Sequence, residues 1–277
     1  MTVQLRVAST IMLLRDQDND GTVQGVEVFM VRRVIQSDFM PDVYVFPGGS
    51  VSNDDYTAEE TEGLCRPVSA ALADPEGRTA LGTGVRAAAI REVFEEAGVL
   101  LAYQNGQVLA INDDEVARYE QYRRAFHQRQ GSLVSMAQAE RLTLATDRLH
   151  YFAHWITPEG MPKRFDTHFF IAFAPEQQQA AHDRLETSAG VWVNPAAALV
   201  GYERGEFPLV FATIHQLRDL AAFGSVQEAL AFTETHHVPV RMPILERENG
   251  VTRVYLPDDA GNTWNVPEHM TKSKEGS

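Results

Sequence analysis

Between positions 91 and 99 the chain reads Arg91-Glu92-Val93-Phe94-Glu95-Glu96-Ala97-Gly98-Val99. On a helix, at about 100° per residue, Glu92, Glu95 and Glu96 fall at i, i+3 and i+4 and share one face. Ala87, Ile90, Phe94 and Ala97 occupy the opposite stripe and can pack onto a sheet. Three carboxylates so close repel one another unless something positive lies between them, and Arg91, four residues before Glu95, offsets only part of that. A cluster of hard oxygen donors is the ligand set that Mg²⁺ or Mn²⁺ prefers. An acidic face of this kind can also be plain solvated surface, which is common on soluble helices. Two neighbours argue for chemistry instead. Gly98 stops the helix directly before the apolar run 99–102, which ties that end to a core. Upstream, a short β run at 43–46 ends in Pro47-Gly48-Gly49, and paired glycines there let backbone atoms approach a ligand closely.

The elements that must position these groups follow from periodicity. Residues 5–14 read as a buried strand, 16–25 as a turn rich in Asp, Asn and Gly, and 26–34 as a second strand, together a hairpin. Residues 52–82 are polar and punctuated by Ala, Gly and Pro, with helical promise only around 67–73. A helix is expected over 85–97, a strand over 99–102, and a helix over 113–142. Tyr119, Tyr122 and Phe126 share a face of the last, which reads as core or as the contact face of a homodimer. Strands are expected at 150–156, 165–173 and 191–193, and a short helix at 195–199. Two helical patterns follow, near 208–222 and 225–235, and then an extended tail marked by Pro239, Pro243 and Pro257. Strands around one strong helix, followed by a helical appendage, make an α+β protein.

Composition sets limits. The 277 residues carry 24 basic and 38 acidic side chains, a formal net charge of −14, which disfavours nucleic acid and anionic membrane as partners. A phosphate-rich small molecule remains open to such a chain if metal ions or a local basic pocket offset the repulsion. Cys65 is the single cysteine, so no intramolecular disulfide and no cysteine-based zinc site can form. The first apolar run, 11–14, is too short for a signal-peptide core or a membrane span. These features lead to the expectation of a cytoplasmic protein.

Taken together, the glycine pair and the acidic helix resemble the Nudix hydrolase signature G-x5-E-x7-R-E-U-x-E-E-x-G-U, where U is a bulky aliphatic residue. Residues 91–99 match its second half at every specified position, and Gly49 matches its first glycine. Asp55 stands where the family has Glu, and residues 56–90 replace the seven-residue spacer, so the box carries an insertion at about 56–84. Phe39-Met40-Pro41, the Phe46–Gly49 turn and the run from Lys163 through Phe170 are similar to one branch, the peroxisomal coenzyme A diphosphatase type, whose box is also interrupted. Asp38 and Phe39 occupy the stretch where other coenzyme A-directed members carry an Arg-rich run.

The resemblance implies a Nudix α/β/α sandwich with a mixed sheet over residues 1–205, and a helical C-terminal extension and tail over 206–277. It implies a Mg²⁺- or Mn²⁺-dependent hydrolase that cleaves the diphosphate of a nucleotide-type small molecule, with coenzyme A or an acyl-coenzyme A as candidate substrates. Glu95 and Glu96 would bind the metal, Glu92 would be a further ligand or the base, and the Gly48 carbonyl would reach the metal from the other side. Glu186, ahead of the Trp192 strand, stands where Nudix enzymes often place an additional catalytic carboxylate. Arg33 and Arg164, with Arg32 and Lys163, are candidates for the substrate phosphates, because guanidinium forks match phosphate geometry. Asp166 and His168 share one face of a strand. The insertion would cover the diphosphate or form one wall of the specificity pocket. The alternative reading is a non-catalytic Nudix module that binds a nucleotide metabolite.

Overall fold

In the computed structural model, which describes residues 3–19, 21–34, 40–183 and 187–267, two long strands open the chain, β1 (Leu5–Asn19) and β2 (Thr22–Arg33). They pair antiparallel and turn at Gly21, whose φ is 79° and whose N–H donates to Asp18 Oδ1 at 2.7 Å. The strands therefore run well into the expected 16–25 turn. Polar side chains on a projecting hairpin do not interrupt ladder bonds, and the pairing only shifts register between Asp16 and Asp18.

Then come β3 (Tyr44–Val45), β4 (Gly48–Ser50), α1 (Asn53–Glu60), α2 (Val85–Ala97), β5 (Ala102–Gln104) and β6 (Gln107–Val108). They are followed by α3 (Asp113–His127), α4 (Leu133–Ala139), β7 (Leu142–Leu144), β8 (His150–Ile156), β9 (Arg164–Phe173) and β10 (Thr187–Val193). The last part holds α5 (Pro195–Glu203), α6 (Phe211–Leu220), α7 (Val226–Thr235), β11 (Val240–Arg241), β12 (Ile244–Glu248), β13 (Val251–Leu256) and β14 (Asp259–Asn265). The main sheet runs β10-β2-β1-β9-β8-β11, with β3 on β2 and β4 on β1. It is mixed: β1 and β9 pair in parallel, as do β8 and β11, while the other pairs are antiparallel. The fold is α+β, as expected.

Alternation along β1 divides the core into two. Ile11 and Leu13 face α2, where they pack with Ile90, Val93, Phe94 and Phe170. Met12 and Leu14 face the other way and pack with Leu217 and Leu220 of α6 and Val226 and Ala229 of α7. The sheet is thus covered by helices on both faces, and residues beyond 205 supply half of that cover. No helix among the described residues is long and apolar enough to cross a membrane.

Three departures from the sequence reading have local causes. The 113–142 helix is broken in two at Gly131, where the chain folds back so tightly that a Cβ would sit 2.8 Å from Phe126 N. The helical promise at 67–73 yields turns, while α1 forms upstream. There Ser52 and Asp55 make a reciprocal capping box, and α1 buries Asp55, Ala58 and Glu59. The tail is not simply extended: β11 joins the main sheet, and β12, β13 and β14 form a separate antiparallel meander. Its first turn is Asn249-Gly250, both at positive φ, the pairing that two-residue hairpins favour.

The insertion does its work at the start of α2. Gly84, the N-cap, has no side chain to satisfy the first N–H groups. Glu59 does so from α1: Oε2 accepts from Gly82 and Gly84 at 2.7 and 2.8 Å, and Oε1 from Arg86 and Ala87 at 2.9 Å each. The fully buried guanidinium of Arg86 donates to the carbonyls of Leu72, Thr79, Thr146 and Leu149. Replacing Glu59 by Gln removes the charge that these N–H groups and the helix dipole favour. Glu59→Gln is expected to lower stability by about 1.5–3 kcal/mol, read as a fall in the urea midpoint at constant slope. An unchanged midpoint would mean the cap carries no weight.

Candidate metal-binding active site

The acidic face of α2 meets β4 at the glycine pair. A Cβ on Gly49 would lie 2.3 Å from Glu92 Oε1, so Glu92 occupies the space that any other residue at 49 would fill. Gly48 sits as tightly on β1, where a Cβ would be 2.7 Å from the Ser9 carbonyl. The bonds from Ile11 N–H to Pro47 and from Val51 N–H to Val7 fix the alternation of the β1–β4 ladder. Gly48 therefore turns its own N–H and C=O away from β1. The N–H donates to Glu96 Oε2 at 3.2 Å, and the carbonyl lies on the same side of the strand. Glu92 and Glu96 are thus brought to Gly49 and Gly48.

Arg91 holds the cluster. Its Nε and Nη2 bind both Asp55 oxygens at 2.9 Å, Nη1 binds Glu92 Oε1 at 2.8 Å and Glu95 Oε1 at 3.1 Å, and Nη2 also donates to the Ser50 carbonyl. Asp55 is fully buried and spent on Arg91 and on Ser52, whose N–H and hydroxyl donate to it at 2.7 and 2.8 Å. The residue that departs from the signature therefore serves as the support of Arg91. Burial pushes the Glu92 carboxyl up to about 7; Arg91 pulls it back, and Glu95 and Asp55 add to the rise.

The far end of α2 closes at Gly98, as expected, and is fixed further by Arg123 and His127, which no local pattern marks. Gly98 adopts φ 71° and donates to the Phe94 carbonyl. Arg123 of α3 donates to the carbonyls of Glu95, Glu96 and Ala181 at 2.7, 3.0 and 2.7 Å, and His127 Nε2 lies 3.2 Å from the Glu95 carbonyl. A cation at a helix C-terminus complements its dipole, and here Arg123, with a hydrogen bond from His127 beside it, locks the turn that bears Glu95 and Glu96. Their spacing at i and i+4 on α3 was visible, but nothing local tied it to α2. Tyr119 and Phe126 are core, edge-on to Phe94. Glu186 lies outside the described residues.

On the opposite side of β4 a cavity of about 360 Å³ opens. Gly48, Gly49 and Ser50 line it, so the strand that touches Glu92 and Glu96 also borders this space. Arg6, Arg33 and Lys163 line it too. Arg164 does not: it alternates with Lys163, donates to the Thr157 carbonyl at 3.0 Å and secures the β8–β9 connection. Arg32 pairs with Asp42 at 2.8 Å. Among the lining residues none comes from 56–84, so the insertion is neither lid nor wall of this cavity.

Asp166 and His168 do share a face, and His154 joins them from β8, where it pairs with His168. His154 Nε2 is bonded to Asp166 Oδ1, and the two imidazoles stack at 4.5 Å. Arg78 Nη1 lies 3.0 Å from His154 Nδ1. A guanidinium can only donate, so Nδ1 accepts and the proton resides on Nε2, directed at Asp166. A metal on Nε2 would need that proton gone and Nδ1 protonated against Arg78, so this trio suits a hydrogen-bond network rather than a cation. Burial, then His154, pushes His168 down to about 4.

The α2 cluster, by contrast, fits a divalent ion. Glu92 and Glu96 meet the strand at Gly49 and Gly48, one guanidinium is shared among Asp55, Glu92 and Glu95, and burial disfavours the charge on Glu92 in a way that a cation reverses.

The family model of the NUDT19 Nudix domain matches residues 79–220, just over half of the chain. Among curated proteins, the acyl-coenzyme A diphosphatase NUDT19 of Xenopus laevis is 24% identical, with 87% of this chain and 73% of that protein covered. Its namesake from Gallus gallus is 26% identical, with 75% and 64% covered. The chain thus spans under two thirds of the second relative's length. A crystal structure of a Nudix hydrolase from Alicyclobacillus acidocaldarius superposes with a TM-score of 0.70 at 26% identity, over 83% of this chain and 97% of that one.

Two outcomes follow from this geometry. In Gly49→Ala the new methyl must displace Glu92, and Mn²⁺ affinity, titrated by electron paramagnetic resonance, is expected to fall about tenfold or more; equal affinity would detach Glu92 from the metal. For His168, the folded value of about 4 lies below the ordinary 6.5. Between those values the unfolded chain binds a proton that the folded chain refuses, so stability falls as pH drops through that window. His168→Gln should flatten that decline in urea midpoints measured at pH 7 and pH 5. A parallel decline in both proteins would argue against a neutral buried imidazole.

Proposed function

The chain belongs to the Nudix hydrolase family, in the NUDT19 branch, and on that basis we propose that it is a divalent-metal-dependent diphosphatase acting on coenzyme A or its acyl thioesters. The observation that carries the reading is the placement of Glu92 against Gly49 and of Glu96 against Gly48, with Glu95 held beside them by Arg91, at the border of a cavity lined by Arg6, Arg33 and Lys163. In a chain of net charge −14, three basic side chains lining one cavity suit a substrate rich in phosphate.

The roles follow from position. Glu92, Glu95, Glu96 and the Gly48 carbonyl would hold Mg²⁺ or Mn²⁺, which when bound neutralises diphosphate oxygens and lowers the pKa of an attacking water. Arg91 orients Glu92 through Oε1 and Glu95 through Oε1, and Asp55 keeps Arg91 in place. Arg33 and Lys163 would bind the phosphates, fixing the scissile bond relative to the acids. Cleavage gives a nucleoside phosphate and a phosphorylated remainder; for coenzyme A these are an adenosine bisphosphate and 4′-phosphopantetheine.

The test is a panel of coenzyme A, acyl-coenzyme A, ADP-ribose, NADH and dinucleoside polyphosphates with Mg²⁺ or Mn²⁺, products identified by mass spectrometry. Turnover of the coenzyme A compounds is expected, and failure with every member would sink the reading. Glu96→Gln should lower kcat by about a hundredfold or more while leaving the melting midpoint in place. Undiminished turnover in that variant would place the metal elsewhere.

A further inference from the structure

Resting on the diphosphatase reading, we propose that the C-terminal meander and the start of α6 form the far wall of the substrate cavity. There they measure the length of the substrate's apolar end. The cavity is of the size that encloses much of a small molecule. One border is the Gly48–Ser50 strand, which carries the metal site on its other side. Val254 of β13, Trp264 of β14 and Phe211 of α6, each at most 8% exposed, line the same cavity together with Trp155 and Phe169 of the main sheet.

The meander is arranged to present that surface. Val254 and Trp264 are direct cross-strand partners, so their side chains share one face, and Leu245 pairs with Val254 from β12. The neighbours Arg253, Asn265, Glu246 and Glu248 are exposed, which leaves the meander one apolar face and one wet one. The apolar face lies in the second core and borders the cavity. A substrate whose far end is polar leaves this wall without a partner. An acyl chain running from the glycine end would cover it, one methylene at a time.

Each methylene buried against such a wall should raise kcat/KM about three- to fourfold, up to the length at which the chain meets Trp264. The experiment compares free coenzyme A with short-, medium- and long-chain acyl thioesters on the wild type, Trp264→Ala and Ala212→Phe. Ala212 lines the same cavity from α6, and its enlargement shortens the space without depending on the meander's own fold. The wild type should climb with chain length and then level off. The plateau should move to longer chains in Trp264→Ala and to shorter ones in Ala212→Phe. Hydrolysis of coenzyme A with no dependence on chain length overturns this proposal alone. So does a plateau that Ala212→Phe leaves where it was, even if Trp264→Ala fails to fold. If the wild type cleaves neither free nor acylated coenzyme A, the diphosphatase reading falls and this inference with it.

Discussion

One guanidinium joins three elements of this protein. Arg91 projects from α2, takes both oxygens of Asp55 on α1, reaches the Ser50 carbonyl on β4, and steadies Glu92 and Glu95 on its own helix. Burial works against its charge, but Asp55, Glu92 and Glu95 overcome that and hold it above its ordinary value. Buried ion pairs add little net stability when compared with apolar replacements, yet removal of one partner leaves the others charged and unpaired. The acids of α2 can therefore crowd together because this side chain is there, and the glycine pair can sit against them because neither glycine carries a Cβ.

Charge and shape are divided between the two faces of β4. On the α2 side lie the carboxylates and the supports that fix both ends of their helix, Glu59 at the start and Arg123 with His127 at the end. On the other side lies the cavity, lined by the basic Arg6, Arg33 and Lys163 and by apolar side chains. A strand of glycines is the thinnest partition a polypeptide can build, and it lets a molecule on one side come within reach of an ion on the other.

The legible parts of the sequence were those in which the chemistry is local. Residues 91–99 showed the acidic face, the Gly98 stop and the apolar back of α2, because helix periodicity alone arranges them. The first hairpin and the strands at 150–156 and 165–173 were visible for the same reason. Contacts at long range were not. Asp55 meets Arg91 from 36 positions away, and nothing near Glu59 announces that it will cap a helix beginning at Val85. Arg33 and Arg164 looked equivalent as basic residues near strands, yet alternation places Lys163, not Arg164, beside the cavity. His154 carries no local signal, because its partners arrive only through strand pairing. The C-terminal meander left a trace in Asn249-Gly250, which the prolines around it obscured.

The interrupted box is pinned at two places, by Asp55 on Arg91 and by Glu59 on the first N–H groups of α2. Because both pins lie within α1, the relation of the glycine pair to the acidic helix is set before the chain wanders off and after it returns. What runs between meets α2 again through the carbonyls of Leu72 and Thr79, which bond Arg86, so its changes of length or composition are confined to residues outside those contacts. Divergence in that stretch is thus a poor clock for divergence of the catalytic apparatus. A search pattern that insists on a fixed interval would pass over chains whose spatial arrangement is intact.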